Sequence, residues 1–234
     1  LFEIGGGEVV IEGAISGASG LRKEGEGVMI LRGDNSFGAL SGGIGCTGGE
    51  LRIEGVNQFT SSASVLRGDL VLAGPAPVDS PGTLGNASSD VAVGADSGVF
   101  GRITTPARLI IEGDHEVARG VAFAAGTFDK RLGARGTGAG AAEFSGPVTL
   151  RPDSTEIKLF AEGAADLVNF SGALSGGDTS LTMEINPEGA EGTVRFSGAD
   201  KTYANSTFVR GGVLELALGT TISAETILEP DTAG

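Results

Sequence analysis

The sequence predicts an all-β chain wound as a single-stranded parallel β-helix, and three observations carry that prediction. Short runs alternate apolar and polar residues and usually end in glycine. The runs recur at intervals near 20 residues, and glycine is too dense for helices. With 42 Gly among 234 residues, almost any helix would hold one internally, at a cost of about 0.5–1 kcal/mol each. Hydrophobic residues make up 40% and are spread along the chain, so the glycines read as turns in a folded rod and not as a disordered tract.

The first copy of the run is Val9-Val10-Ile11-Glu12-Gly13 and the second Met29-Ile30-Leu31-Arg32-Gly33. Leu51-Arg52-Ile53-Glu54-Gly55, Leu70-Val71-Leu72-Ala73-Gly74, a weaker Val91-Ala92-Val93 and Leu109-Ile110-Ile111-Glu112-Gly113 follow. Three later copies carry Phe: Ala142-Glu143-Phe144-Ser145-Gly146, Val168-Asn169-Phe170-Ser171-Gly172 and Val194-Arg195-Phe196-Ser197-Gly198. Leu214-Glu215-Leu216 is the last. At the second apolar position the copies fall at 11, 31, 53, 72, 93, 111, 144, 170, 196 and 216, in steps of 20, 22, 19, 21, 18, 33, 26, 26 and 20.

Each copy reads as a short strand, because side chains alternate faces with period two: Leu51 and Ile53 point one way, Arg52 and Glu54 the other. The closing glycine allows the positive φ of a sharp turn. A step near 20 residues matches one rung of a solenoid whose equivalent strands stack about 4.8 Å apart. Ten or eleven rungs, coiled right-handed, would make a rod on the order of 50 Å long. The expected inward column is Ile11, Leu31, Ile53, Leu72, Val93, Ile111, Phe144, Phe170, Phe196 and Leu216, each contributing roughly 1.5–3 kcal/mol on burial. A sandwich or barrel would place its strands about 8–12 residues apart, near half the interval seen.

Residues 1–234 thus read as one solenoid, with narrower rungs over 1–125 and wider ones over 143–234. The step of 33 between 111 and 144 predicts an excursion loop at 126–142, rich in Gly and Ala and carrying Lys130, Arg131 and Arg135. Loops that leave a solenoid are common places for function.

The text at 21–53 resembles the autotransporter-associated β-strand repeat, also called the passenger-associated transport repeat. The matching positions are Lys23, Gly25, Gly27, Met29, Leu31, Gly33, Asn35, Phe37, Gly49, Leu51 and Ile53. A looser copy spans 189–216 with Gly192, Val194, Phe196, Gly198, Tyr203, Gly212, Leu214 and Leu216; there Asp200 stands for Asn and one extra residue precedes Tyr203. The resemblance implies a bacterial surface or secreted protein, a β-helical passenger exported through an outer-membrane barrel, in which the repeat serves secretion and folding. The chain starts at Leu1 within an apparent strand and carries no barrel, so it is expected to be a processed piece of a longer protein.

Composition narrows the chemistry. Sixteen basic against 30 acidic residues give a net charge of −14, which disfavours a phosphate backbone as partner. A single Cys (Cys46) and a single His (His115) leave no disulfide within the chain and few ligands for zinc. No run approaches the roughly 18 apolar residues of a membrane helix. Cys46, in a small-residue turn, reads as a packed side chain.

Four candidate sites remain. Glu112-Gly113-Asp114-His115-Glu116 could hold a cation or an acid/base pair if a turn at Gly113 made the side chains converge; a polar turn is the plainer reading. GADSG at 94–98 and SGGDTS at 175–180 read as turns more readily than as calcium sites. Arg-Gly-Asp occurs twice, at Arg32-Gly33-Asp34 and Arg67-Gly68-Asp69, which suggests adhesion, although the repeat accounts for both as outward residue plus turn. Outward Glu12, Glu54 and Glu112 are the candidates for a polysaccharide-acting enzyme, but Arg32 and Ala73 interrupt them.

The expectation is therefore a non-catalytic, cofactor-free extracellular rod or stalk of a bacterial surface protein, with adhesion to a host receptor as a secondary use. A self-assembling fibre subunit, adding strands end to end, and a polysaccharide-acting β-helix enzyme are the alternatives. Contact with a membrane would come only through a barrel outside this chain.

Overall fold

The computed structural model describes residues 1–37, 43–94, 105–125, 129–204, 206–222 and 225–228, and they wind as a parallel β-solenoid with three faces. The first face stacks Phe2–Glu3, Leu21–Glu24, the starts of Ile44–Ile53 and Ala63–Leu72, then Val91–Val93, Val121–Phe123, Val148–Leu150, Leu174–Gly176 and Lys201–Tyr203. The second stacks Glu8–Ile11, Val28–Leu31, the ends of the same two long strands, then Ala107–Glu112, Lys130–Arg135, Glu156–Ala161, Thr182–Ile185, Ser206–Val209 and Thr226–Leu228. The third comprises Glu116–Val117, Ala142–Phe144, Leu167–Phe170, Thr193–Phe196 and Val213–Leu216. Each of these strand pairings is parallel, so a hairpin-built sandwich is excluded. The described residues contain no helix.

The expected single column of core residues is divided among the three faces. Ile11, Leu31, Ile53, Leu72 and Ile111 stack in register on the second face. Phe144, Phe170, Phe196 and Leu216 stack on the third, continuing Val117. Val93 lies on the first face between Val65 and Phe123. The correction has a simple cause. One lap visits three faces with similar alternating runs, so the step of 18 from Val93 to Ile111 imitates a lap although both lie on the same one.

The loop expected at 126–142 is also corrected. Lys130–Arg135 is a strand of the second face, paired on one side with Ala107–Glu112 and on the other with Glu156–Ala161; residues 126–128 lie outside the described residues. Leu132 and Ala134 face the core, fully buried, and Ala134 is the true lap partner of Ile111. Gly133 points outward beneath Phe160, whose ring and carbonyl a Cβ would strike. The strand reads as a loop because its outward positions are glycine and arginine and one inward position is lysine.

Eight of the ten expected core residues are buried; Ile11 is half-buried and Leu216 is 48% exposed on the last strand of its face. Phe144 stacks on Phe170 with centroids 5.0 Å apart, and Phe170 meets Phe196 edge-on at 6.1 Å, both favoured aromatic geometries. The glycine closing several runs is required for close approach and not for a positive φ. Cβ atoms at Gly33 and Gly55 would collide with the backbone of Gly13 and Gly33 in the preceding laps.

Candidate functional site

On the outside of the second face the carboxylates weighed for catalysis are tied into an ion-pair ladder. Arg32 Nη1 reaches Glu12 at 2.7 Å and its Nε reaches Glu54 at 3.0 Å. Arg52 bridges Glu54 at 2.8 Å and Glu112 at 2.5 Å. Arg135 bridges Glu112 at 2.9 Å and Glu50 at 3.1 Å. Of the two residues that interrupt the expected carboxylates, Arg32 is a cation that neutralises them and Ala73 is not; Arg52 and Arg135 pair the remaining charges. A second network gathers Lys158 Nζ with Glu156 at 3.0 Å and with Asp129 and Glu188 at 3.2 Å. Burial works against the Lys158 ammonium, and Glu156 and Asp129 overcome it, holding its pKa above the ordinary lysine value.

The 112–116 cluster does not converge. Glu112 belongs to the ladder on the second face, Gly113 makes the corner with φ 91°, and Glu116 starts the third face, where its Oε1 accepts from Ser145 Oγ at 2.5 Å. The described residues hold no group of three His, Cys, Asp or Glu side chains able to ligate a metal ion. At 175–180, Asp178 Oδ1 accepts from Ser180 N at 2.8 Å, a turn of the kind aspartate commonly makes; most of 94–98 lies outside the described residues.

The two Arg-Gly-Asp copies differ in setting. Arg32 is in the ladder, and Asp34 Oδ1 accepts from Val56 N at 2.9 Å. In the second copy Arg67 Nε donates to the Thr47 carbonyl, and Asp69, only 8% exposed, is gripped by Arg108 through Nε at 2.5 Å and Nη2 at 2.6 Å. Burial raises the Asp69 carboxyl above its usual range, and Arg108 works against that rise.

Sequence reasoning missed a set of cations buried at the corners. Lys201 Nζ donates to the carbonyls of Ala199 at 2.6 Å, Gly172 at 2.7 Å and Ser197 at 2.9 Å. Burial pushes its pKa down to about 8, opposed by Asp200. Lys23 Nζ does the same at a second corner, donating to Gly25 at 2.6 Å, Gly48 at 2.5 Å and also Gly27. Arg119, fully buried, donates to the carbonyls of Leu84 at 2.7 Å and Ser89 at 3.0 Å. Several carbonyls converge at such corners, and a long cationic side chain supplies several donors at once. The available signal was a lone Lys or Arg close to clustered glycines. Cys46, in register with Lys23, is buried, and burial pushes its thiol up to about 11.

The segment 191–216 matches the passenger-associated transport repeat family. In space it is one complete lap. It starts at Thr193–Phe196, passes the Lys201 corner and two further strands, and returns at Val213–Leu216 in register with its own beginning. The match falls on the looser of the two copies in the sequence. No curated protein and no solved structure matches the chain.

Proposed function

We propose that the chain is a rod-forming passenger segment of an autotransporter-type protein at the bacterial surface, acting as a structural element and not as an enzyme. The observation that carries this reading is the transport-repeat match at 191–216 coinciding with a single solenoid lap whose two ends hydrogen-bond to each other. Such a lap is a unit that can be added to a growing stack, which suits a chain that folds progressively as it leaves a pore. The ladder of Arg and Glu supports it, since its carboxylates are engaged by guanidinium groups of other laps and tie those laps together.

Joined ahead of an outer-membrane barrel in a Gram-negative host, the segment is expected on the cell surface as a protease-resistant body; retention inside the envelope would overturn the reading. The enzymatic alternative is tested on acidic and neutral polysaccharides. Turnover by the wild-type chain that disappears when Glu112, Asp114 and His115 are replaced together would establish an enzyme instead.

A further inference from the structure

We propose that the cavity beneath the strap 186–190 is a binding subsite for one neutral sugar ring of a polysaccharide. The strap leaves the second face after Ile185 and folds back over the outside of the sheet. It encloses about 250 Å³ lined by Arg108, Arg131, Phe160, Glu162, Glu188 and Ala190, with Pro187 and Gly189 completing the wall. That volume lies below the range of drug-sized pockets and suits a single ring.

The lining has the two properties a pyranose demands. Phe160 and Ala190 give it an apolar side, and behind them Ile110 and Val71 complete a small hydrophobic cluster outside the main core. Its rim is balanced in charge, Arg108 and Arg131 against Glu162 and Glu188. Arg131 is engaged by Asp129 and Glu188, which leaves Arg108 Nη1 as the donor and the exposed Glu162 carboxylate as the acceptor for a hydroxyl. Sugar hydroxyls both donate and accept, while ring C–H groups pack on apolar surface; a rim with no net charge favours neither an anion nor a cation.

The rim is also held in place before any ligand arrives, which lowers the ordering cost of binding. Arg131 is fixed by Asp129 at 2.9 Å and by Glu188 at 2.8 Å, and Asp69 takes the Nε and Nη2 donors of Arg108. The base of the strap is pinned by the buried Asn186, whose Oδ1 accepts from Ala161 N at 2.9 Å and whose Nδ2 donates to the Gly192 carbonyl at 2.7 Å. Of the three non-glycine residues with positive φ among the described residues, two lie here: Asn186 at 49° and Glu188 at 56°. Strained backbone of this kind collects at ligand clamps and is retained where the surroundings enforce it.

The inference does not depend on the rod reading, since a rod can carry such a subsite or lack one. The test is calorimetric and NMR titration of the chain with methyl hexosides and neutral oligosaccharides at millimolar concentration, beside acetate and inorganic phosphate. Glu162 is exposed, so Glu162→Trp should block the mouth and raise Kd at least tenfold with the melting temperature unchanged; Glu162→Arg gives the same loss if the Trp variant fails to fold. Three results would each overturn the proposal: no neutral glycan binds, binding survives both variants, or acetate or phosphate competes at the sugar's own concentration, which would mark an anion site.

Discussion

Asn35 and Asn57 lie 22 residues and one lap apart, and the Nδ2 of the first donates to the Oδ1 of the second at 2.7 Å. Asn35 Oδ1 in turn accepts from Ile15 N at 2.8 Å, and Asn57 Nδ2 donates to the Thr83 carbonyl at 2.7 Å. Two buried amides therefore link four successive corners where the third side of the coil has few strands. Replacing Asn57 by Leu should take from the Asn35 amide one of its partners, leaving it the Gly33 carbonyl at 2.8 Å, and strip the Thr83 carbonyl of its side-chain donor, at about 1–3 kcal/mol in all. Urea unfolding that shows a loss below 0.5 kcal/mol, roughly the size of an ordinary surface change, would mean the ladder is dispensable.

At the Lys201 corner three carbonyls converge on one ammonium. Lys201→Met keeps the aliphatic stem and removes every donor, so the corner should open at a cost of about 2 kcal/mol or more. Hydrogen exchange gives the sharper reading. Amides of Lys201–Tyr203 should lose protection while those of Val28–Leu31, many laps away, keep theirs. Uniform loss along the rod would show that the cage stabilises the whole stack and not its own lap.

The parallel coil was legible because Leu31, Ile53 and Leu72 repeat at nearly one lap length and carry charges or small residues between them. Which face each run occupies was not, since alternation reports inside and outside but is blind to which of three sides is meant; Val93 therefore reads as part of a column it does not share. Lys130–Arg135 was hidden because a glycine, two arginines and an inward lysine break the apolar signal, although its neighbours on both sides accept it in perfect register. The strap at 186–190 left no mark beyond a Pro and a Gly, because its role depends on Arg131 and Lys158, about 57 and 30 residues earlier. Charge partners across laps are set by the stacking, and the stacking register is what a single sequence withholds.

Core burial predicts graded losses. Ile53 is fully buried between Leu31 and Leu72, and Ile53→Asp should cost about 4 kcal/mol or more by placing an unpaired charge in a dry column. Phe170, the middle ring of three, should lose about 3–5 kcal/mol on replacement by Ala. Thermal melting of both variants checks the order, and an Ile53→Asp protein melting with the wild type would show that this residue meets water.

The two Arg-Gly-Asp copies can be separated by stability before any cell is used. Asp34→Ala removes one exposed bond to Val56 N and should change stability by less than about 1 kcal/mol. Asp69→Ala strips Arg108 of its two-point partner on a largely buried carboxylate and should cost about 1–2 kcal/mol after allowance for the partial exposure of Arg108. If adhesion used these copies, attachment to cells would fall with Asp34→Ala despite its unchanged stability. Attachment that follows only the folded fraction would assign both copies to turn chemistry.

Asp166 gives the rod a defined acid response. Burial alone would raise its carboxyl, but hydrogen bonds from Gly163 N at 2.9 Å and Thr137 N at 2.8 Å outweigh that and hold it below the usual aspartate value. Because the folded pKa is the lower one, the unfolded chain takes up its proton first as pH falls. The stabilisation is therefore complete above the ordinary aspartate range near 4 and is lost as pH drops through the folded value. In Asp166→Asn the amide cannot accept from both N–H groups with both of its ends, so the variant should be less stable at pH 7, and the gap to wild type should narrow as pH falls below the ordinary aspartate range. Denaturation midpoints at pH 7, 5, 3 and 2 measure that gap directly, and a difference that stays constant over the series would show that this carboxylate is not a titrating support of the corner.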